Sequence, residues 1–456
     1  MRGFVIAAVW LTIVLVPGLA AAQEAEALRR ELEQLRRQQE QAQKLIEALN
    51  ERLKRLEAQP VPAPASPGPP PPAVAQPAPS APAAPPSLID LARPRQPFAL
   101  YQPRGSGQLL FDMGVVGDFV GNITQNNVDQ ADGGTFPGRE NRFFPREIEV
   151  SFFGQIDPYA RGEVRIEAAE EFEDGTREIH LGLAEAHLTL LTLPWGTQAK
   201  LGFMRSRFGL LNQIHAHDLP QVDRPDVLVQ FFGEEGLRES GVELTWVPPL
   251  PFYLEALVGV FNGDNEESFG RGSLKAPLVT GRLRTFFELN DSNAIQLGVS
   301  GATGETEDRR RNTVVGLDLK YKFTPEGWRH PLLTIAGEAL YGNRLVEVFD
   351  DAGVGEERRR ERFGWYAYAE VQPWQRWLGG VRYDNTQYPV EPGRQWAIEP
   401  YIAFMPSEFL RFRLGYKHTE RSHPFAATSG QGSARIVDEF LFQASFILGA
   451  HPAHPF

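Results

Sequence analysis

At 456 residues, with 42% hydrophobic and 11% aromatic side chains, 43 Gly and 37 Pro, the chain is too apolar to be disordered and too rich in turn formers to be helical throughout. Cysteine is absent, which excludes disulfide frameworks, zinc ribbons and thiol nucleophiles and leaves any metal site to His and carboxylates. A formal charge of −12 without a dense basic patch excludes nucleic-acid binding.

Met1 and Arg2 precede the apolar run Phe4 to Val16, then Pro17-Gly18 and the small residues Ala20-Ala21-Ala22. This order predicts a signal peptide over 1–22, cut after Ala22, rather than a retained anchor. The apolar run is shorter than the ~20 residues a spanning helix needs, and no later stretch supplies one. An exported chain that stays in a membrane must then cross it as a closed barrel, which leaves no strand edge unpaired in lipid.

Residues 23–59 contain no Gly or Pro and carry a 4-3 repeat, with Ala25, Leu32, Gln39, Ile46 and Leu53 at a and Leu28, Leu35, Ala42, Leu49 and Leu56 at d. The repeat predicts a coiled coil rather than a lone amphipathic helix, with Gln39 as the polar seam residue. Residues 60–97 hold 15 of the 37 prolines and read as a stiff polyproline II spacer.

The rest, 98–456, alternates with period two between turn signals. Seven short connections are expected at Asp157-Pro158, Leu193 to Gly196, Pro248 to Pro251, Asn290 to Asn293, Thr324 to Pro331, Gln372-Pro373 and Met405-Pro406. They alternate with eight longer polar ones near 122–141, 173–177, 205–239, 262–277, 302–312, 344–362, 386–394 and 420–435. Eight and seven connections make sixteen strands, the pattern of an outer-membrane barrel with short periplasmic turns and long external loops.

Alternation assigns the faces. Ile148, Val150 and Phe152 alternate with Glu147, Glu149 and Ser151, and Val164, Ile166 and Ala168 with Glu163, Arg165 and Glu167. Apolar positions are expected to face lipid and charged ones the lumen. Tyr159, Trp195, Trp246, Phe252, Trp328, Trp374, Trp377 and Phe409 gather beside the short turns, as an interfacial girdle would.

The strand pattern, the stretch Leu201-Gly202-Phe203-Met204-Arg205-Ser206-Arg207-Phe208-Gly209, and the order of coiled coil, proline spacer and barrel resemble the phosphate-selective porin O and P family of Gram-negative outer membranes. The resemblance covers essentially the whole body. It implies a trimeric sixteen-stranded channel whose third external loop folds inward and whose selectivity comes from basic lumen side chains. The constriction then falls on Arg205 to Glu239, the longest loop, and a trimeric coiled coil supplies one helix per barrel. The lumen-lining positions Arg161, Arg165, Lys200, Arg282, Arg284, Lys320, Lys322, Arg382, Arg411, Arg413 and Lys417 are accompanied by at least as many acids, which departs from a dominantly basic lumen.

The third loop carries twelve ionisable residues in thirty-five positions. Arg205, Arg207, His215, His217, Asp218, Arg224 and Arg238 are its candidates for a charged constriction, against the alternative of a solvated loop held by its own ion pairs. His215 and His217, with Asp218, also offer a metal site if the segment is extended. Arg411, Arg413 and Lys417 form a same-face basic stripe with no evident acidic partner, a candidate guide for anions. No G-x-S-x-G, H-E-x-x-H or P-loop motif supports catalysis.

The sequence therefore predicts an all-β protein: a 16-stranded antiparallel transmembrane β-barrel preceded by an N-terminal α-helical coiled coil and a proline-rich linker. It is expected in a Gram-negative outer membrane with the coiled coil in the periplasm, as a homotrimer without enzymatic activity or cofactor. Its expected partners are outer-membrane lipid, periplasmic or peptidoglycan groups met by the coiled coil, and small hydrophilic or ionic solutes, anions such as phosphate among them. The alternative function is an outer-membrane anchor or envelope tether acting through the coiled coil.

Overall fold

The computed structural model describes residues 111–125, 134–173, 176–265, 267–349, 355–422 and 434–450. The expected signal peptide, coiled coil and proline linker lie outside the described residues, as do 98–110. The strands are β1 (Phe111–Thr124), β2 (Phe143–Asp157), β3 (Ala160–Glu173), β4 (Thr176–Leu193), β5 (Thr197–Arg205), β6 (Arg238–Trp246), β7 (Tyr253–Phe261) and β8 (Leu278–Asn290). They continue as β9 (Asn293–Glu305), β10 (Arg311–Phe323), β11 (Leu333–Phe349), β12 (Gly355–Trp374), β13 (Trp377–Gln387), β14 (Arg394–Ser407), β15 (Leu410–Arg421) and β16 (Ile436–Gly449).

Each strand pairs antiparallel with its neighbours in sequence, and β1 pairs with β16 from Gly114 opposite Gly449 to Thr124 opposite Glu439. The sheet is thus a closed sixteen-stranded barrel with no free edge. Among the described residues no helix is long and apolar enough to cross a membrane.

Side chains that cap their own backbone set several short turns. Asp157 accepts from the Tyr159 amide at 2.7 Å, and Asn290 from the Ser292 amide at 3.0 Å. Two expected turns are displaced by three residues, to 375–376 and 408–409. Gln372-Pro373 and Met405-Pro406 lie inside the ends of β12 and β14, within register shifts at Val371/Trp374 and Phe404/Ser407. Proline lacks the ladder donor, so it is accommodated in an irregularity of the strand while the chain reverses after it. At the other end the strands run further than expected: β9 to Glu305, β11 to Phe349 and β12 from Gly355, so much of 302–312 and 344–362 is ladder.

Val164, Ile166, Leu283, Val299, Leu317 and Leu414 are exposed on the outer face, while their strand neighbours Glu163, Arg165, Arg282, Ser300, Asp318 and Arg413 are buried. The eight aromatics beside the short turns are all exposed, from 39% at Trp328 to 90% at Trp195, so they form an outward belt. A second aromatic row, not expected, lies toward the long connections on β12 to β15. Trp365 meets Tyr383 at 5.3 Å between ring centroids, Tyr383 meets Trp396 at 6.1 Å, and Trp396 meets His418 at 5.4 Å.

Candidate functional site

The segment joining β5 to β6, residues 206–237, contains a 3-10 turn at Ala216–Asp218 and one helix, α1 (Asp226–Phe232). Gly233, at φ 80°, ends α1 in a backbone region that suits glycine, and its N–H bonds Val229 O. One side of the segment is apolar. Phe208, Leu211, Val227, Leu228, Phe231 and Phe232 form a single buried cluster with Leu278, Val314, Ala336, Leu340 and Tyr366 of β8, β10, β11 and β12. Phe208 and Phe232 meet edge to face at 5.2 Å. Burying each such side chain stabilises the docked segment by about 1.5–3 kcal/mol. The expectation that apolar strand positions face lipid does not hold throughout: part of the inner face of β8 to β12 is apolar because it packs a folded segment rather than water.

The other side is ion-paired to the wall. Asp223 meets Arg382 of β13 at 2.7 Å and Lys417 of β15 at 2.7 Å, and Lys417 also meets Asp226 at 2.8 Å. Burial raises the Asp223 pKa, but the adjoining Arg382 and Lys417 outweigh it and hold the carboxyl well below the usual range. Gln221 donates to the Tyr401 hydroxyl at 2.7 Å, and Arg146 of β2 donates to Ala216 O at 2.9 Å. The amides of Gly209 and Leu211 donate to Ser300 of β9 and Glu338 of β11 at 3.1 and 2.9 Å. Contacts thus reach the segment from strands on every side of the barrel.

His215 and His217 do not converge on one point. His217 places Nδ1 3.3 Å from Glu147 and Nε2 2.9 Å from Asp218, whereas His215 places Nδ1 3.0 Å from Glu149 and Nε2 3.4 Å from Glu185. Burial lowers both pKa values, but the facing carboxylates outweigh it, pushing His215 up to about 9 and His217 up to about 10. Among the described residues, the metal-type groupings set His215 with Glu147 and Glu149, and His187 with Glu163 and Glu185.

The other expected constriction residues have separate tasks. Arg205 binds Glu235 at 2.6 Å, and Arg207 reaches Glu243 at 2.6 Å and Glu255 at 3.0 Å. Arg238 binds Glu167 at 2.7 Å. Arg224 faces inward to its own loop, donating to the carbonyls of Leu211, Ile214 and Glu234 at 2.8, 3.0 and 3.0 Å. Burial pulls its pKa down to about 10.

On the wall, Arg165 pairs with Glu163 at 2.6 Å, Lys200 with Glu185 at 3.6 Å, Arg282 with Asp318 at 2.9 Å and Arg284 with Glu255. Arg161 is half exposed and 3.5 Å from Glu163. The stripe on β15 does have acidic partners, which corrects the sequence reading. Lys417 is held by Asp223 and Asp226, and Arg411 lies 3.6 Å from Asp218, while Arg413 donates to Gln443. These acids come from the third connection, distant in sequence and brought opposite by its fold.

Beside the segment lies a cavity of about 380 Å³ whose lining carries both signs, with Arg139, Arg146, Arg238 and Arg421 among its cations and Glu167, Glu170, Glu234 and Glu439 among its anions. The sequence reading missed Asp118, Glu338, Asp384 and Glu399 as partners. Their inward parity was readable from strand alternation; what they meet was not.

No family model matches the chain. A protein of Aquifex aeolicus (strain VF5), described as an uncharacterized protein, is 30% identical over 341 residues, 68% of this chain and 69% of its own. The chain belongs to the family of that Aquifex aeolicus protein. Among solved structures, the outer membrane channel DcaP of Acinetobacter baumannii superposes with a TM-score of 0.51 at 13% identity, covering 76% of this chain and all of that one. An anion-selective porin from Comamonas acidovorans gives a TM-score of 0.49 at 8% identity, covering 75% of this chain and all of that one. The likeness to DcaP is one of fold: this family member has a porin-type barrel.

Proposed function

We propose that the protein is an outer-membrane porin, assembled as a homotrimer, that passes small hydrophilic or ionic solutes through a lumen narrowed by the third connection. The observation that carries this reading is the docking of residues 206–237 against β2, β9, β11, β13 and β15 together, with a charge-lined cavity left beside it. A solute crossing the barrel must pass between paired charges of both signs. Such a path suits small polar or zwitterionic solutes and gives a weak ion preference, because most of the fixed cations face a carboxylate. Phosphate then passes as one small anion among others.

The test is planar-bilayer conductance of the purified protein with reversal potentials under a salt gradient. The reading expects small stepwise openings in threes and a reversal potential near zero. A strongly anion-selective reversal potential would contradict the paired-charge lumen. The apolar cluster under α1 favours a second reading, a sealed barrel that serves as an anchor, and folded barrels without conductance would establish that instead.

A further inference from the structure

Glu147 and Glu149 stand two apart on β2 and so share its inner face, where His215 of the third connection meets them. His215 Nδ1 lies 3.0 Å from Glu149 Oε2 and 3.9 Å from Glu147 Oε1. All three atoms are buried and none makes a hydrogen bond; the 3.0 Å approach lacks hydrogen-bond geometry. The opposite atom of each residue, by contrast, is held. Glu149 Oε1 accepts from Ser151 Oγ at 2.6 Å and from Arg165 at 3.2 Å. Glu147 Oε2 faces His217 Nδ1 at 3.3 Å, and His215 Nε2 faces Glu185 Oε1 at 3.4 Å.

We propose that Glu147 Oε1, Glu149 Oε2 and His215 Nδ1 bind one divalent transition-metal cation of the zinc type, which ties the third connection to the barrel wall. One imidazole and two carboxylates form a donor set that zinc accepts, with a fourth position left for water. Zinc bonds of ~2.0–2.2 Å in a tetrahedron set the donors about 3.3–3.6 Å apart, and the two distances here, 3.0 and 3.9 Å, bracket that range. The held atoms supply the outer layer such sites use: Glu185 fixes the imidazole through its other nitrogen, and Ser151, Arg165 and His217 orient the carboxylates. His217 is therefore an orienting group and not a ligand, since Glu147 and Asp218 face its two nitrogens. The cation takes the place of the His215 proton, so uptake releases a proton. In the second grouping, Glu163, Glu185 and His187, the facing atoms are already engaged: His187 Nε2 is hydrogen-bonded with Glu185 Oε2 at 3.1 Å, and Lys200 lies 3.6 Å from the same oxygen.

The test uses the full-length protein in detergent, stripped with a chelator and titrated with Co²⁺ and then Zn²⁺, read by visible absorption and metal content and independently of conductance. One Co²⁺ per chain, displaced by Zn²⁺, is expected. Glu149→Gln and His215→Ala each abolish uptake, Glu185→Gln weakens it by about 10–100-fold, and His187→Ala leaves it intact. Absence of stoichiometric uptake, unchanged affinity in Glu149→Gln and His215→Ala, or loss in His187→Ala instead would each overturn the assignment. Should the ligand variants fail to fold, the wild-type Co²⁺ spectrum decides: strong bands of a low-coordinate ion support the site, and the weak bands of the hydrated ion refute it.

Discussion

Arg382 of β13, wholly buried, donates to Asp223 of the third connection at 2.7 Å. The same guanidinium meets Asp384 at 2.7 Å and Glu399 at 3.0 Å. Arg382→Met leaves three buried carboxylates short of their cation, and breaking a buried pair from one side costs about 3–5 kcal/mol. The urea midpoint of the heat-modifiable band should fall accordingly. An unchanged midpoint would mean the ion pair does not hold the loop.

The depressed pKa of Asp223 gives its pairing a pH sign. Its unfolded value is ~3.9 and its folded value is lower, so its contribution is complete above about pH 4 and is lost as pH falls through the folded value. Urea midpoints measured from pH 6 down to pH 2 should drop more steeply for the wild type than for Asp223→Asn. Parallel curves would assign the acid sensitivity to other carboxylates.

A Cβ at Gly342 would stand 2.7 Å from Phe231 Cε1, so α1 sits tight against β11. Gly342→Ala is expected to destabilise by about 1–3 kcal/mol through overpacking, and Phe231→Ala by about 3–5 kcal/mol through the cavity it leaves. In the double variant the methyl enters that cavity, so the two costs should sum to more than the measured loss. Simple additivity would show that the contact is not made.

The outward belt beside the short turns predicts membrane depth. Single-tryptophan variants retaining Trp195 or Trp374, exposed by 90% and 68%, should be quenched best by lipids carrying a shallow label. Stronger quenching by labels at the bilayer centre would misplace the barrel in the membrane.

Strand number, the alternation of short and long connections and the facing of Glu163, Arg165 and Leu414 were legible in the sequence because each follows from a period of two and from turn residues. The positions of Pro373 and Pro406 were not, since a proline marks both a turn and a strand irregularity. The candidate site was legible only as a dense, long third loop. That Lys417 meets Asp223 and Asp226, across 194 and 191 residues, depends on how α1 and the preceding turn pack. Likewise Leu278, Val314 and Leu340 read as ordinary strand residues until Phe231 and Phe232 are placed against them.

The central claim is that residues 206–237 narrow the lumen. Single-channel conductance of the wild type should be compared with that of a variant in which 210–234 are replaced by a short glycine-serine link, both migrating as heat-modifiable barrels. The account predicts a several-fold larger step in the shortened protein. Equal steps in the two, or silence in both, would contradict it.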